Sequence, residues 1–294
     1  MQTYPEIAPK LVIHGGLLDT RKTLTQARHT QEKFHDALAA VVKESFDILC
    51  SVGARNAVLY AVRALENEPL FNAGTGSVLQ SDGQARMSAG LIDSQTGHFS
   101  GVINVQHVKN PIDIAQLLAK EPNSILAGEL ATRYAQQRNI PYYNPITSAR
   151  QQEYEQQSMH QTGTVGAVAL DSKGVICAGT STGGIGGEIP GRVSDSPTVA
   201  GTYASSVAGV SCTGIGEQII DHAVATRIVT RVQDGIPLQI AVDKTLLEAR
   251  VRDYCFGLIS LDYTGKVVVG KTQEQEYYQL LYASYDGQRL SVYP

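Results

Sequence analysis

Gly163-Thr164-Val165-Gly166-Ala167-Val168-Ala169-Leu170-Asp171-Ser172-Lys173-Gly174-Val175-Ile176-Cys177-Ala178-Gly179 decides the fold. An apolar run, an Asp-x-x-Gly turn and a second apolar run predict an antiparallel hairpin. With the turn at 171–174, Leu170 pairs with Val175 and Thr164 falls opposite about Ser181. Thr180 and Thr182 then stand beside the start of the first strand, so several hydroxyls meet at one sheet end. Two readings stay open on geometry alone: threonines that suit a strand and satisfy local backbone, or a reactive cluster.

The same pattern recurs at 257–270, Gly-Leu-Ile-Ser-Leu-Asp-Tyr-Thr-Gly-Lys-Val-Val-Val-Gly. Upstream, Leu11-Val12-Ile13 reads as a short buried strand ending at His14-Gly15-Gly16. Helical spacing of Phe34, Leu38, Val41 and Val42 predicts a helix over 26–49, and a second covers 54–65. Strands are expected at 76–79, 87–92 and 102–105, and helices at 111–118, started by Pro111, and 125–137. Residues 139–162 are polar and Gln-rich with weak periodicity, and read as a long mobile segment, either a domain boundary or a surface loop prepared for cutting. Helices are expected at 217–233 and 238–250. Without βαβ alternation, the sheets should be mainly antiparallel with helices packed outside.

Of the 294 residues, 43% are hydrophobic, which is ample for a large core. A net charge of -4 with no basic stripe points away from nucleic acid. No apolar run is long enough for a membrane span or a signal core. Cys50, Cys177, Cys212 and Cys255 are scattered without a CxxC pair, which suits a reduced cytoplasmic protein. The seven histidines lack the spacing of a zinc site.

A threonine hydroxyl is a poor nucleophile unless a base sits beside it. Cutting the chain before Thr164 would make its own α-amino group that base, with a pKa of roughly 7.7–8.0. A neighbouring hydroxyl such as Thr182 can orient the nucleophile. Ser211-Cys212-Thr213-Gly214-Ile215-Gly216-Glu217 puts glycines before a helix, where backbone N–H groups can hold an oxyanion or form an ordinary turn. Arg192 and Asp195, three apart in a loop-like stretch, could read a zwitterion or make a surface ion pair.

Together these motifs resemble the isoaspartyl peptidase and plant-type asparaginase family over nearly the whole chain. The resemblance is carried by His14-Gly15-Gly16, Phe71-Asn72-Ala73-Gly74-Thr75-Gly76-Ser77, Lys109-Asn110-Pro111, Gly163 to Asp171, Thr180-Ser181-Thr182-Gly183-Gly184, Gly191-Arg192, Asp195-Ser196-Pro197 and Cys212-Thr213-Gly214. It implies one domain of α+β class, a four-layer αββα sandwich of N-terminal nucleophile hydrolases, cut at Gly163–Thr164 into 1–163 and 164–294. It implies Thr164 as nucleophile, Thr182 as its support, and Thr213 and Gly214 as the oxyanion hole. Arg192 would hold the substrate α-carboxylate and Asp195 its ammonium, beside the Gly216 backbone, with Asn72 supporting the site. The substrates implied are isoaspartyl dipeptides and L-asparagine. No catalytic cofactor is implied. A structural sodium is implied on the backbone carbonyls of Leu65, Glu66, Glu68, Phe71, Ala73 and Thr75, as is assembly of two cleaved pairs.

Ser88, Glu188, Ser194 and Ile215 depart from the family's usual residues without removing an assigned one. Two rival readings are an uncut, non-catalytic relative that binds a partner, and an α/β-hydrolase. The second would use Ser181 in Gly179-Thr180-Ser181-Thr182-Gly183, but that elbow must run into a helix, and Gly184, Gly186, Gly187 and Pro190 oppose one. The same glycines lack the Walker lysine or Rossmann unit of a phosphate loop.

Overall fold

The computed structural model describes residues 7–22, 27–157 and 163–293. The first half contains β1 (Lys10–Asp19), a 3-10 turn (Thr20–Lys22), α1 (Ala27–Ser51), α2 (Ala54–Asn67), β2 (Met87–Asp93), β3 (Ser100–Val105), α3 (Pro111–Leu118), β4 (Ile125–Ala127), α4 (Gly128–Gln137) and α5 (Ser148–Glu155). After it come β5 (Val165–Leu170), β6 (Ile176–Thr182), β7 (Thr202–Ala204), β8 (Ala208–Gly214), α6 (Gly216–His222), α7 (Val224–Gln233) and α8 (Leu238–Arg250). The chain ends with β9 (Phe256–Asp262), β10 (Val267–Lys271), β11 (Tyr278–Tyr285) and β12 (Leu290–Tyr293).

An eight-stranded sheet runs β12-β11-β1-β5-β6-β2-β3-β4, and a four-stranded sheet runs β10-β9-β8-β7. The pairings are antiparallel except β3 with β4. Helices α1, α2 and α3 cover one face of the large sheet, and α7 and α8 cover the far face of the small one. The result is the four-layer αββα sandwich.

Side-chain alternation shows how the layers are built. On β5, Val165, Ala167 and Ala169 pack toward the helices with Phe34, Leu38 and Val58. Val168 and Leu170 pack between the sheets with Ile176, Ile259 and Leu261. Both faces are dry, so β5 and β6 are buried at every residue and read as continuous apolar runs. On β6, Cys177 faces the helices, whereas Ile176 and Ala178 face the other sheet. By the same period, Thr180 and Thr182 point between the sheets and Ser181 points away.

The hairpin register corrects the sequence reading by one residue. Leu170 pairs with Ile176, not Val175, and Val165 pairs with Ser181, so Thr164 falls opposite Thr182. The turn takes an extra residue because Asp171 Oδ1 accepts from both Lys173 N at 2.9 Å and Val175 N at 3.0 Å. Asp262 Oδ1 does the same for Thr264 N and Lys266 N in the β9–β10 hairpin.

Other expectations also change. Residues 76–79 form no strand, because their backbone is spent on a curled segment that includes Gly76 N donating to Pro145 O at 3.0 Å. The expected mobile segment holds α5, capped by the Thr147 hydroxyl, and only 158–162 of it lies outside the described residues. The helix expected at 125–137 starts three residues later, after β4. The helix expected at 217–233 breaks at Ala223, whose φ of 49° separates α6 from α7. β1 continues past His14 through a bulge at 14–16 to Asp19. The expected start of the first helix at Gln26 lies outside the described residues.

Candidate active site

The bulge in β1 and the start of β5 meet backbone to backbone. A Cβ on Gly16 would lie 2.1 Å from Gly163 Cα, and one on Gly163 would lie 2.2 Å from Gly16 Cα. Gly16 also has φ +108°, so both packing and backbone require glycine. This contact places Thr164 at the lip of the large sheet, 8% exposed.

Thr164 Oγ1 donates to Thr182 Oγ1 at 3.1 Å. Thr182 Oγ1 also accepts from Gly184 N at 3.1 Å. Gly184 is held in turn by Asn72, whose Nδ2 donates to Gly184 O at 2.7 Å while its Oδ1 accepts from Val78 N at 3.0 Å. Asn72 O accepts from Gly183 N at 2.9 Å. A buried asparagine thus braces the loop that braces the second hydroxyl.

The strand end at Thr213 and Gly214 borders the same cavity, of about 330 Å³, together with Gly163 and Thr164. Gly214 has φ +138° and no room for a Cβ against Phe256. The turn it makes leads into α6 at Gly216. Arg192, Asp195, Asn72, Thr182 and Gly216 do not line this cavity. Arg192 and Asp195 lie across Gly216 instead: a Cβ there would meet Arg192 Nη2 at 2.8 Å and Asp195 Oδ1 at 2.9 Å.

Asp195 is buried, and among the described residues its Oδ2 has no hydrogen-bond partner. Burial pushes its carboxyl up to about 7, against the pull of Arg192. Arg192 forks onto Glu217, with Nε to Oε1 at 2.7 Å and Nη2 to Oε2 at 2.8 Å. That fork holds the Glu217 carboxyl below the usual range. Glu217 is a site neighbour that the sequence reading missed, and its position directly after Gly216 was the available signal.

Behind the site runs a buried chain of hydroxyls. His14 Nε2 lies 2.8 Å from Ser211 Oγ, and Ser211 Oγ lies 2.7 Å from Thr180 Oγ1. Thr180 Oγ1 lies 2.5 Å from Thr202 Oγ1, which donates to Ser196 O at 2.9 Å. The chain links β1 to the residue after Asp195. Gly166 leaves it room, since a Cβ there would sit 2.1 Å from Ser211 Oγ and 2.4 Å from His14 Nε2. Burial lowers the His14 imidazole to about 3, opposed by a contact with the Thr164 backbone, so the ring is neutral. Thr180, grouped with the reactive hydroxyls on sequence, belongs to this chain.

Ser181 sits inside β6, and residues 183–191 after it form no helix, so the strand-to-helix elbow of an α/β-hydrolase is missing. Among the departures, Ser88 Oγ accepts from Asn104 N, Glu188 Oε1 accepts from Ile185 N, Ser194 is buried, and Ile215 lines the cavity. Among the described residues, no cluster of three or more His, Cys, Asp or Glu could hold a metal, and no helix is long and apolar enough to cross a membrane.

The layers, with a threonine at the start of a central strand, are those of an N-terminal nucleophile hydrolase sandwich. The family model described as asparaginase matches residues 7–161 and 150–289, and the chain belongs to that family. It is 43% identical to the isoaspartyl peptidase/L-asparaginase of Nostoc sp., over 97% of this chain and 94% of that protein. It is 44% identical to the isoaspartyl peptidase/L-asparaginase of Synechocystis sp., over 90% of this chain and 85% of that protein. The Escherichia coli isoaspartyl peptidase is 34% identical, over 91% of each chain.

Removing one link of the hydroxyl chain costs buried hydrogen bonds on both sides of it. Thr180→Val keeps the side-chain shape but takes one bond each from Ser211, which keeps His14, and Thr202, which keeps Ser196 O, so unfolding free energy falls by about 1–3 kcal/mol. Thr180→Ser restores most of it. Urea melts of the three proteins check this, and an unchanged midpoint in Thr180→Val would show that the chain is energetically idle.

Proposed function

We propose that the chain is an isoaspartyl peptidase with L-asparaginase activity, made as a one-domain precursor and cut between Gly163 and Thr164. The observation that carries the reading is the 3.1 Å contact between the Thr164 and Thr182 hydroxyls at the mouth of a cavity bordered by Thr213 and Gly214.

After the cut, the free α-amino group of Thr164 takes the proton from its own Oγ1. The oxygen attacks the side-chain carbonyl carbon of the substrate, and Thr182 keeps the hydroxyl aimed. The negative charge that develops on the carbonyl oxygen is met by Thr213 and the Gly214 backbone. The C–N bond breaks, the amine leaves with the proton held by the α-amino group, and an acyl ester remains on Thr164. Water, deprotonated by the same amine, hydrolyses that ester and regenerates the threonine. Arg192 pairs with the substrate α-carboxylate and Asp195 with its ammonium, beside Gly216. Because Glu217 already occupies two nitrogens of the guanidinium, the substrate carboxylate either takes the remaining one or displaces Glu217.

A structural sodium is proposed on the carbonyls of Leu65, Glu66, Glu68, Phe71, Ala73 and Thr75. The support is a tightly curled backbone, in which a Cβ on Gly74 would meet Glu66 O at 2.5 Å and one on Gly76 would meet Phe71 O at 3.0 Å. A hard cation suits such donors. When bound it would stiffen the loop that carries Asn72. We also propose a cytoplasmic location, where scattered thiols stay reduced, and pairing of two cleaved molecules.

Two outcomes test the reading. Thr164→Ala remains one chain and loses hydrolysis of β-aspartyl dipeptides, while Thr164→Ser keeps part of both. A wild-type rate in Thr164→Ala would end the nucleophile assignment. In wild type, kcat/KM for a β-aspartyl dipeptide falls about tenfold per pH unit once the Thr164 α-amino group is protonated, below roughly 7.7–8.0, and the fall steepens to about a hundredfold per unit below about 7, because protonated Asp195 cannot pair with an ammonium. The Asp195 limb of kcat lies at lower pH, since bound ammonium favours the ionised carboxylate. A kcat/KM limb that keeps the single tenfold slope down to about pH 5 would contradict the role given to Asp195.

A further inference from the structure

We infer that the cavity beside Thr164 is the leaving-group half of the site, built to receive an apolar or aromatic residue attached through the scissile amide. This deepens the proposed function and rests on it.

The cavity's walls supply the first argument. It borders the nucleophile and the oxyanion turn but not Arg192 or Asp195. The 214–216 turn separates the two regions: Gly214 and Ile215 face the cavity, and Gly216 touches the Arg192 and Asp195 side chains. A scissile amide held between Thr164 and Gly214 has two substituents. The aspartyl unit extends across Gly216 toward the charged pair. The amine substituent is then directed into the cavity.

Its chemistry supplies the second argument. The remaining walls are the Gly163 and Gly184 backbone and the side chains of Leu17, Ile185, Ile215, Cys255 and Tyr278, with Asp19 the one carboxylate among them. Asp19 is already paired with Arg21, at 3.0 Å from Nε and 2.7 Å from Nη2. The walls therefore offer apolar surface with a compensated charge at one end, which favours a neutral apolar side chain over a charged one. Arg21 is half exposed and lies 3.8 Å over the Tyr277 ring, at the rim next to Asp19. A dipeptide seated with its side chain among the apolar walls has its terminal carboxylate at a rim that carries a guanidinium.

The placement follows from the fold. Asp19 and Tyr278 are register partners on β1 and β11, so the extension of β1 beyond its bulge builds this wall. Ammonia, the leaving group from asparagine, uses none of it. Wild-type enzyme should therefore prefer a large apolar leaving residue.

The test uses the mature enzyme with β-aspartyl-phenylalanine, β-aspartyl-leucine, β-aspartyl-glycine, β-aspartyl-glutamate and L-asparagine. The expected order of kcat/KM puts the phenylalanine and leucine dipeptides about tenfold or more above the glycine dipeptide, with the glutamate dipeptide and asparagine below them. Leu17→Ala and, separately, Tyr278→Ala lower the ratio of kcat/KM for phenylalanine to that for glycine by about tenfold. Because the ratio is taken within one preparation, loss of folded protein cancels from it. Equal kcat/KM for the glycine and phenylalanine dipeptides, or a ratio unmoved by both substitutions, overturns the inference while leaving isoaspartyl hydrolysis in place. Failure of every β-aspartyl substrate would remove the underlying reading, and the inference with it.

Discussion

The register between β5 and β6 is the constraint on which the site depends. Side chains alternate between two buried faces, so a slip of one residue would turn Thr164 or Thr182 toward the helices and separate their hydroxyls. Asp171 fixes that register. Its Oδ1 accepts from two backbone N–H groups within the turn, and its Oδ2 accepts from Ala54 N, at the start of α2, at 3.1 Å. One carboxylate therefore sets the turn length and docks the hairpin on a helix. The consequence appears at the other end of both strands, where two hydroxyls meet.

Close backbone approach is the second condition. Glycines at 16, 163, 166, 183 and 216 each sit where a methyl group would collide with a part of the site. Their absence of side chains lets β1 press against the start of β5, and lets the Gly216 backbone pass between Arg192 and Asp195. The space behind is filled by neutral polar groups, from His14 to Thr202, which hold strands of both sheets in register without burying a net charge. In the proposed reading, the desolvated Asp195 gains most from an incoming ammonium.

Much of the layer order was legible because dry strands write continuous apolar runs and amphipathic helices write a stripe, as in Phe34, Leu38 and Val42. The turn register was off by one because an Asp side chain can close turns of different length, and sequence spacing does not choose between them. Tertiary contacts decided the elements that differed: 76–79 bond to a distant loop, and the 217–233 helix tolerates a break at Ala223. β11 and β12 went unread because their partly exposed, Tyr-rich faces lack a clean alternation. At the site, Thr164, Thr182, Thr213, Gly214, Arg192 and Asp195 were named from motifs, but the clamp of Glu217 on Arg192 and the burial of Asp195 are properties of packing. The role of Thr180 depends on residues 31 and 22 positions away, Ser211 and Thr202, which no local pattern connects.

The central claim is that this fold makes Thr164 a chain terminus. Intact-mass spectrometry of the purified protein, followed by N-terminal sequencing of the smaller component, addresses it directly. The account predicts two chains, 1–163 and 164–294, with the second beginning Thr-Val-Gly-Ala. A single uncut chain after prolonged incubation, or a fragment beginning at any other residue, would contradict it.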